Sequence, residues 1–387
     1  MQQDTNILRI PGPSPIPPSV QRAMSQPMIG HRGQETSLLV KDLKENLKAV
    51  FGTKQDVLML TSSGTSSLEA AAVNATRPGD EVLVLVTGSF GDRFAQICET
   101  YELNVHRMET RWGDAFDIEE VKQFLQDNQN IKAVVSTYCE TSTGVLNPIE
   151  QLSRIVHDHS NALLLVDGVS CLGGVDAQMD DWGVDIFITG SQKAMMLPPG
   201  LSFIAVSDRA WDIIEANERP RFYLDLVKYK KSLESDSTPF TPAVSLLFGL
   251  QQVLQLFQEE GLENVYQRHT LMKNMTRAAM RALDIPLLTS DESASPTVTA
   301  IEPSDFDPEA LRKIVKKEFG LDLAGGQKHQ KGKVVRIGHM GYCTPADVLQ
   351  IIGMIEVGLH KLGKQVKLGQ GVAAAQEIYL STGGTEK

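Results

Sequence analysis

The chain has 387 residues, 42% hydrophobic and 22% charged, with 48 acidic against 37 basic side chains and a formal net charge of -11. That length can build a large core in one big domain or two unequal ones, and its acidity argues against binding nucleic acid or an anionic membrane through bulk charge. The four cysteines, Cys98, Cys139, Cys171 and Cys343, are isolated and the eight histidines scattered, which disfavours a disulfide framework, an iron–sulfur cluster or a structural zinc site.

The first ten residues lack the basic and apolar regions of a signal peptide, and no apolar run reaches membrane-spanning length. The cytoplasm is the expected location. Residues 1–30 carry the proline-rich stretch Pro11-Gly12-Pro13-Ser14-Pro15-Ile16-Pro17-Pro18, which predicts an arm running extended over a surface. A helix-competent segment follows at 37–50. From Asp56, seven short β-rich runs (57–60, 82–86, 105–108, 133–137, 163–166, 186–189 and 202–206) alternate with stretches of helical composition, clearest at 66–75, 93–101, 118–127 and 149–157. That alternation predicts an α/β fold with a mostly parallel, seven-stranded sheet covered by helices on both faces. Pro198-Pro199-Gly200 should turn the chain sharply.

Residues 243–283 read as helical with a break at Gly261. Beyond Pro286 the order strand 297–301, helix 308–319, strand 334–337, helix 345–362 predicts a smaller α+β unit. The polar, small-residue end is expected to fray. The resulting division is an arm over 1–30, a large domain over 31–260 and a small domain over 261–387.

In an open α/β sheet, ligands bind beyond the carboxyl ends of the strands. Four clusters fall at such places. Thr61-Ser62-Ser63-Gly64-Thr65-Ser66-Ser67 opens a helix after a strand, and is either a phosphate cradle or an ordinary N-cap turn. Asp167 closes the apolar run 163–166, where an acid needs a cation unless it merely caps a turn. Lys193, in Gly190-Ser191-Gln192-Lys193-Ala194, follows the next run and so shares its rim with Asp167 unless it is a solvated surface charge. Arg336, in Val334-Val335-Arg336-Ile337-Gly338, suits a forked carboxylate clamp or a snorkelling edge-strand position. A phosphate cradle, an acid, a lysine and an arginine in this order point to pyridoxal 5'-phosphate chemistry on amino acids.

At these residues the sequence resembles a fold-type I, class V aminotransferase of the alanine–glyoxylate and serine–glyoxylate group. The likeness runs from about Ile10 to Leu362 and is most specific at Ile10-Pro11-Gly12-Pro13, Ser63-Gly64-Thr65, Glu140-Thr141-Ser142-Thr143-Gly144-Val145, Val166-Asp167-Gly168-Val169-Ser170, Gly190-Ser191-Gln192-Lys193-Ala194 and Arg336-Ile337-Gly338. The resemblance implies that Lys193 carries the cofactor's aldehyde and then moves the substrate's proton, while Asp167 pairs with the pyridine nitrogen. It implies ring stacking by Phe90, a contact from Thr141 near the ring's phenolic oxygen, and a phosphate held by Ser63, Gly64, Thr65 and Gln192. Thr241 would reach that phosphate from the partner subunit, making the homodimer part of each active site. Arg336 would hold the substrate α-carboxylate, with the backbone at Gly12 closing over it.

The implied reaction transfers the amino group of a small amino acid, alanine or serine, to glyoxylate or pyruvate. Arg32, in Gly30-His31-Arg32-Gly33, opens an alternative, because a second guanidinium suits the anionic side chain of phosphoserine, aspartate or glutamate. Two further alternatives are a cysteine desulfurase and a redox or scaffold subunit of hydrogenase type. The first needs a thiolate before the clamp arginine, and 321–336 contains no cysteine. The second lacks cluster-ligand spacing among the cysteines.

Overall fold

The computed structural model describes residues 6–382. The seven β-rich runs become β1 (Leu58–Leu60), β2 (Glu81–Val86), β3 (Asn104–Glu109), β4 (Ile131–Thr137), β5 (Leu163–Asp167), β6 (Ile186–Gly190) and β7 (Ser202–Val206). They form one sheet in the order β1-β7-β6-β5-β4-β2-β3. Neighbours from β6 through β3 are parallel, whereas β7 runs antiparallel to both β6 and β1. The cause is chain length. A parallel return needs a crossover of about a dozen residues or more, usually a helix, and residues 191–201 pass instead through Pro198-Pro199-Gly200 straight into β7. Every residue of β5, β6 and β7 is buried, which is why these strands read as unbroken apolar runs rather than alternating ones.

Helices α1 (Pro18–Met24), α2 (Gln34–Phe51), α3 (Gly64–Ala75) and α4 (Ser89–Thr100) precede the middle of the sheet. Further on, helices Val244–Glu260 and Leu262–Ala282 are separated at Gly261, whose φ of 81° explains the break. A smaller antiparallel sheet follows, with β8 (Val298–Ile301) and β9 (Ala324–Gly325) on either side of β10 (Val335–Gly338). Helices Pro308–Phe319 and Pro345–Lys361 cover it, burying Leu311, Val315, Ile337, Ile352, Ile355 and Leu359 in a core of their own.

The N-terminal arm departs from its expectation. Residues 18–24 are helical, because Pro18 stands at the first helical position, where the missing N–H has no partner to lose. Nor does the arm's segment 7–14 simply lie over a surface. Ile7–Leu8 adds a parallel strand to Leu321–Asp322, Gly338 donates its N–H to the Arg9 carbonyl at 2.8 Å, and Ser14 donates to the Gln192 carbonyl at 2.9 Å. Arg9, Ser14 and Val20 are all buried. The arm therefore ties the small sheet to the loop carrying Lys193.

The C-terminal segment also differs. Gln370–Thr382 is a helix, seated by the Glu356 carboxylate, which accepts N–H bonds from Gly369 at 2.7 Å and Gly371 at 2.6 Å. Residues 383–387, where fraying is expected, lie outside the described residues. Among the described residues no helix is long and apolar enough to cross a membrane.

Candidate active site

The carboxyl ends of five strands bring distant segments to one rim. Asp167 is the last residue of β5, Lys193 follows β6 by three positions, Thr141 follows β4, Phe90 follows β2 and Ser63–Thr65 follow β1. The Lys193 loop is held by Ser191, whose Oγ donates to the Pro198 carbonyl at 2.7 Å and accepts the Leu201 N–H at 3.1 Å.

Lys193 is 7% exposed. Its Nζ donates to the Pro11 carbonyl and, at 3.2 Å, to Ser170 Oγ, and it lies 5.7 Å from the centre of the Phe90 ring. Burial lowers its pKa to about 8, with the Arg336 charge adding to the effect and Asp167 and Glu140 opposing it. Asp167 is 5% exposed, and its Oδ1 accepts the Val169 N–H at 2.9 Å. Burial raises its carboxyl to about 6; the Val169 N–H opposes that rise, and so do the charges of Lys193 and Arg93. One turn, Val169–Ser170, thus touches the acid at one residue and the amine at the next. Among the described residues Asp167 makes no ion pair within 4 Å, and the cations that act on it, Lys193 and Arg93, do so from farther away.

Lys193, Phe90, Thr141, Gly12 and Arg336 line one cavity of about 670 Å³. Gly12 has φ +95°, and a Cβ there would stand 2.5 Å from Lys193 Cδ, so only glycine lets the arm lie against the lysine. Arg336, 6% exposed, donates from Nε to the Gly325 carbonyl at 2.9 Å and from Nη1 to the Thr141 carbonyl at 3.2 Å. Carbonyls orient the guanidinium without neutralising it. Burial lowers its pKa to about 10, which leaves it charged at neutral pH.

The phosphate-cradle candidates lie beside this rim. Ser63 is the N-cap of α3 and makes no side-chain cap bond, leaving the helix's first N–H groups for another acceptor. A Cβ at Gly64 would stand 2.9 Å from Val169 Cγ2, so the cradle packs on the Asp167 turn. Thr65 and Gln192 are half-buried. Asp167, Ser63, Gly64, Thr65 and Gln192 stand at the same strand ends without lining that cavity, and Thr241 and Arg32 lie away from it within one chain. Thr241 is exposed and borders a groove with Met28, Ile29 and His31. Arg32 is exposed and donates to Ser237 Oγ at 3.1 Å and to the Thr238 carbonyl, in the same segment as Thr241.

Glu140 carries no role in the sequence reading, although an acid in the run Cys139-Glu140-Thr141 after a strand is the same signal that singles out Asp167. It is fully buried. Its Oε2 accepts the N–H groups of Phe90 and Gly91 at 3.0 and 3.1 Å, and its Oε1 accepts Ser142 N–H and Oγ at 3.0 and 2.6 Å. The N-cap of α4, Gly88, has no side chain to supply these acceptors. An amide has one acceptor oxygen, so Glu140→Gln is expected to leave buried donors facing an NH2 and to lower stability by about 1–3 kcal/mol. Urea titration of wild type and variant checks this; unchanged midpoints would show that Glu140 does not hold α4 in place.

The class-V aminotransferase family model matches residues 11–351. The soluble hydrogenase small subunit of Synechococcus sp. (strain PCC 6716) is 42% identical over 98% of this chain and 100% of its own. The L-aspartate–glyoxylate aminotransferase of Paracoccus denitrificans (strain Pd 1222) is 36% identical over 97% of each chain. The crystal structure of an alanine–glyoxylate aminotransferase from Nostoc sp. superposes with a TM-score of 0.88 at 30% identity, over 93% of this chain and 96% of the other.

Proposed function

Since the chain belongs to the class-V aminotransferase family, we propose that it moves the amino group of a small amino acid, alanine or serine, to glyoxylate or pyruvate, using pyridoxal 5'-phosphate held at the rim described above. The observation that carries this reading is the pairing of Lys193 and Asp167 about one turn, with burial pushing the amine down to about 8 and the acid up to about 6. Such opposed shifts mark acid–base machinery.

The residues fit the cofactor. The uncapped N-terminus of α3 at Ser63, Gly64 and Thr65, with Gln192, would hold the phosphate. Phe90 offers a ring face 5.7 Å from Lys193 Nζ, Thr141 lines the same cavity, and the buried Asp167 carboxylate would hold a proton on the ring nitrogen. When bound, the group supplies an aldehyde for amine exchange and an electron sink for the substrate's Cα. Lys193 Nζ, with a pKa of about 8, is near enough to neutral to take the Cα proton. Arg336 would fork onto the α-carboxylate while the arm at Gly12 closes that side. Thr241 is exposed beside Met28, Ile29 and His31, and in the homodimer proposed here it would complete the partner's phosphate site.

Two other classes are less well supported. A redox subunit with its own metal centre needs a gathered donor set. Among the described residues no group of three His, Cys, Asp or Glu side chains could share a metal, and all four cysteines are buried and unpaired. A desulfurase needs a low-pKa thiol in the cavity, yet Cys343 borders a different pocket and burial pushes it up to about 11.

The test is a donor screen of alanine, serine, phosphoserine, aspartate and glutamate against glyoxylate, pyruvate and 2-oxoglutarate. Alanine or serine with glyoxylate is expected to give the highest kcat/KM. No transfer with any pair, from protein that takes up no pyridoxal phosphate, overturns the reading.

A further inference from the structure

We propose that the loop over residues 326–333 gives the cavity a second anion subsite, built by Lys331 with Gln327 beside it, that takes the distal carboxylate of a dicarboxylic substrate. This rests on the aminotransferase reading and deepens it, since one half of the reaction would then admit a dicarboxylic amino acid or 2-oxo acid.

The charges on the cavity wall carry the inference. Lys193, Arg312, Lys331 and Arg336 line it, against the acids Glu309 and Asp322. Both acids are already occupied. Arg312 Nη1 donates to the two Glu309 oxygens at 2.8 and 2.6 Å, and Lys316 Nζ donates to the two Asp322 oxygens at 3.0 and 2.9 Å. Arg336 bonds only carbonyls in this structure. Among the described residues, Lys331 makes no ion pair within 4 Å and no side-chain hydrogen bond, though it lines the cavity. The wall thus carries two permanent cations, Arg336 and Lys331, that no protein carboxylate meets. A monocarboxylate answers only one of them.

The remaining features of the loop agree. Gln327 also lines the cavity, and its Oε1 is buried without a hydrogen-bond partner; turned over, the same amide presents its NH2, the end that can donate to a carboxylate. The loop is nevertheless anchored: Lys328 pairs with Asp92, two residues beyond Phe90 on α4, and the His329 ring packs on Trp112 with centroids 4.1 Å apart. The loop that carries Lys331 to the cavity wall is therefore docked at both contacts. Arg32, the alternative second cation, is committed to Ser237 and Thr238 and lies outside the cavity of its own chain.

Succinate and propionate isolate this subsite, because neither has an amine or carbonyl to react. Titration calorimetry on the cofactor-loaded protein is expected to show succinate binding on the order of ten-fold more tightly than propionate, the scale of one charge-assisted hydrogen bond. Lys331→Ala should bring succinate to the propionate level, Lys331→Arg should keep the preference, and propionate should bind all three proteins alike. Lys331 is exposed, so both variants should melt with wild type, and melting curves check that. Equal binding of the two acids by wild type overturns the proposal, as does a preference that survives Lys331→Ala or disappears in Arg32→Ala instead. Borohydride reduction of the same preparation separates the two readings. Pyridoxal fixed on Lys193 without a succinate preference sinks the subsite alone, whereas no pyridoxal on Lys193 sinks the aminotransferase site and the subsite with it.

Discussion

Lys193→Ala is expected to lower transamination by about 10³-fold or more, because in the proposed function Lys193 is both the covalent anchor and the proton carrier, and general acid–base catalysis alone contributes ~10²–10⁴-fold. The fold should persist. The ties that Lys193 Nζ makes run only to the Pro11 carbonyl and Ser170 Oγ, while the loop around it is held independently by Ser191 and by Ser14 Oγ on the Lys193 carbonyl, which alanine retains. Far-ultraviolet circular dichroism of the cofactor-free variant should therefore match that of cofactor-free wild type while activity vanishes. The decisive readout is chemical. Borohydride should fix pyridoxal on the peptide containing Lys193 in wild type and on no peptide in the variant. Fixation on a different lysine, or retained turnover in the variant, would place the chemistry elsewhere.

The parts of the site visible in sequence are those whose chemistry is local. Asp167 stands out because a charge ends the apolar run 163–166, and Lys193 because it follows the next such run; both runs are legible since strands buried on two faces cannot alternate. The small-domain strand around Arg336 is legible for the same reason. What escapes is whatever depends on contacts between remote segments. The proline-rich arm looks like a surface strap, and nothing in its own residues reveals that Gly12 abuts Lys193 or that Ile7–Leu8 pairs with Leu321–Asp322. Glu140 has a legible signal, an acid among small and apolar residues, but its task lies in supplying acceptors to α4, some fifty positions earlier. Lys331 sits in a run of glycines and lysines that reads as solvated loop, and only its place on the cavity wall sets it apart. Arg32 shows the converse: a suggestive motif whose side chain, within one chain, serves the Thr238 segment.

Asp167→Asn is expected to move stability and function in opposite directions. In the cofactor-free chain, burial holds this carboxyl at about 6, above its ordinary 3.8, so the folded state binds the proton more tightly than the unfolded state. The stability this confers is complete below 3.8 and is lost as the pH rises through about 6. At pH 7 wild type therefore carries a buried charge that asparagine lacks, and asparagine can still accept the Val169 N–H. The apo variant should be the more stable by up to about 3 kcal/mol at pH 7, with the difference closing toward pH 4. Loaded protein should show the reverse. Wild type gains from pairing its carboxylate with a protonated ring nitrogen, a gain that binding linkage converts into a higher Tm. The variant offers a neutral amide, so its cofactor affinity should fall about ten-fold or more, and its turnover by about 10²–10³-fold. Wild-type cofactor uptake should also weaken below pH 6, as Asp167 takes up its proton. Melting curves of apo and loaded protein between pH 4 and 8 measure all of this. An apo variant less stable than wild type at pH 7 would mean that a protein cation already compensates Asp167, and equal turnover would remove the acid from the ring nitrogen.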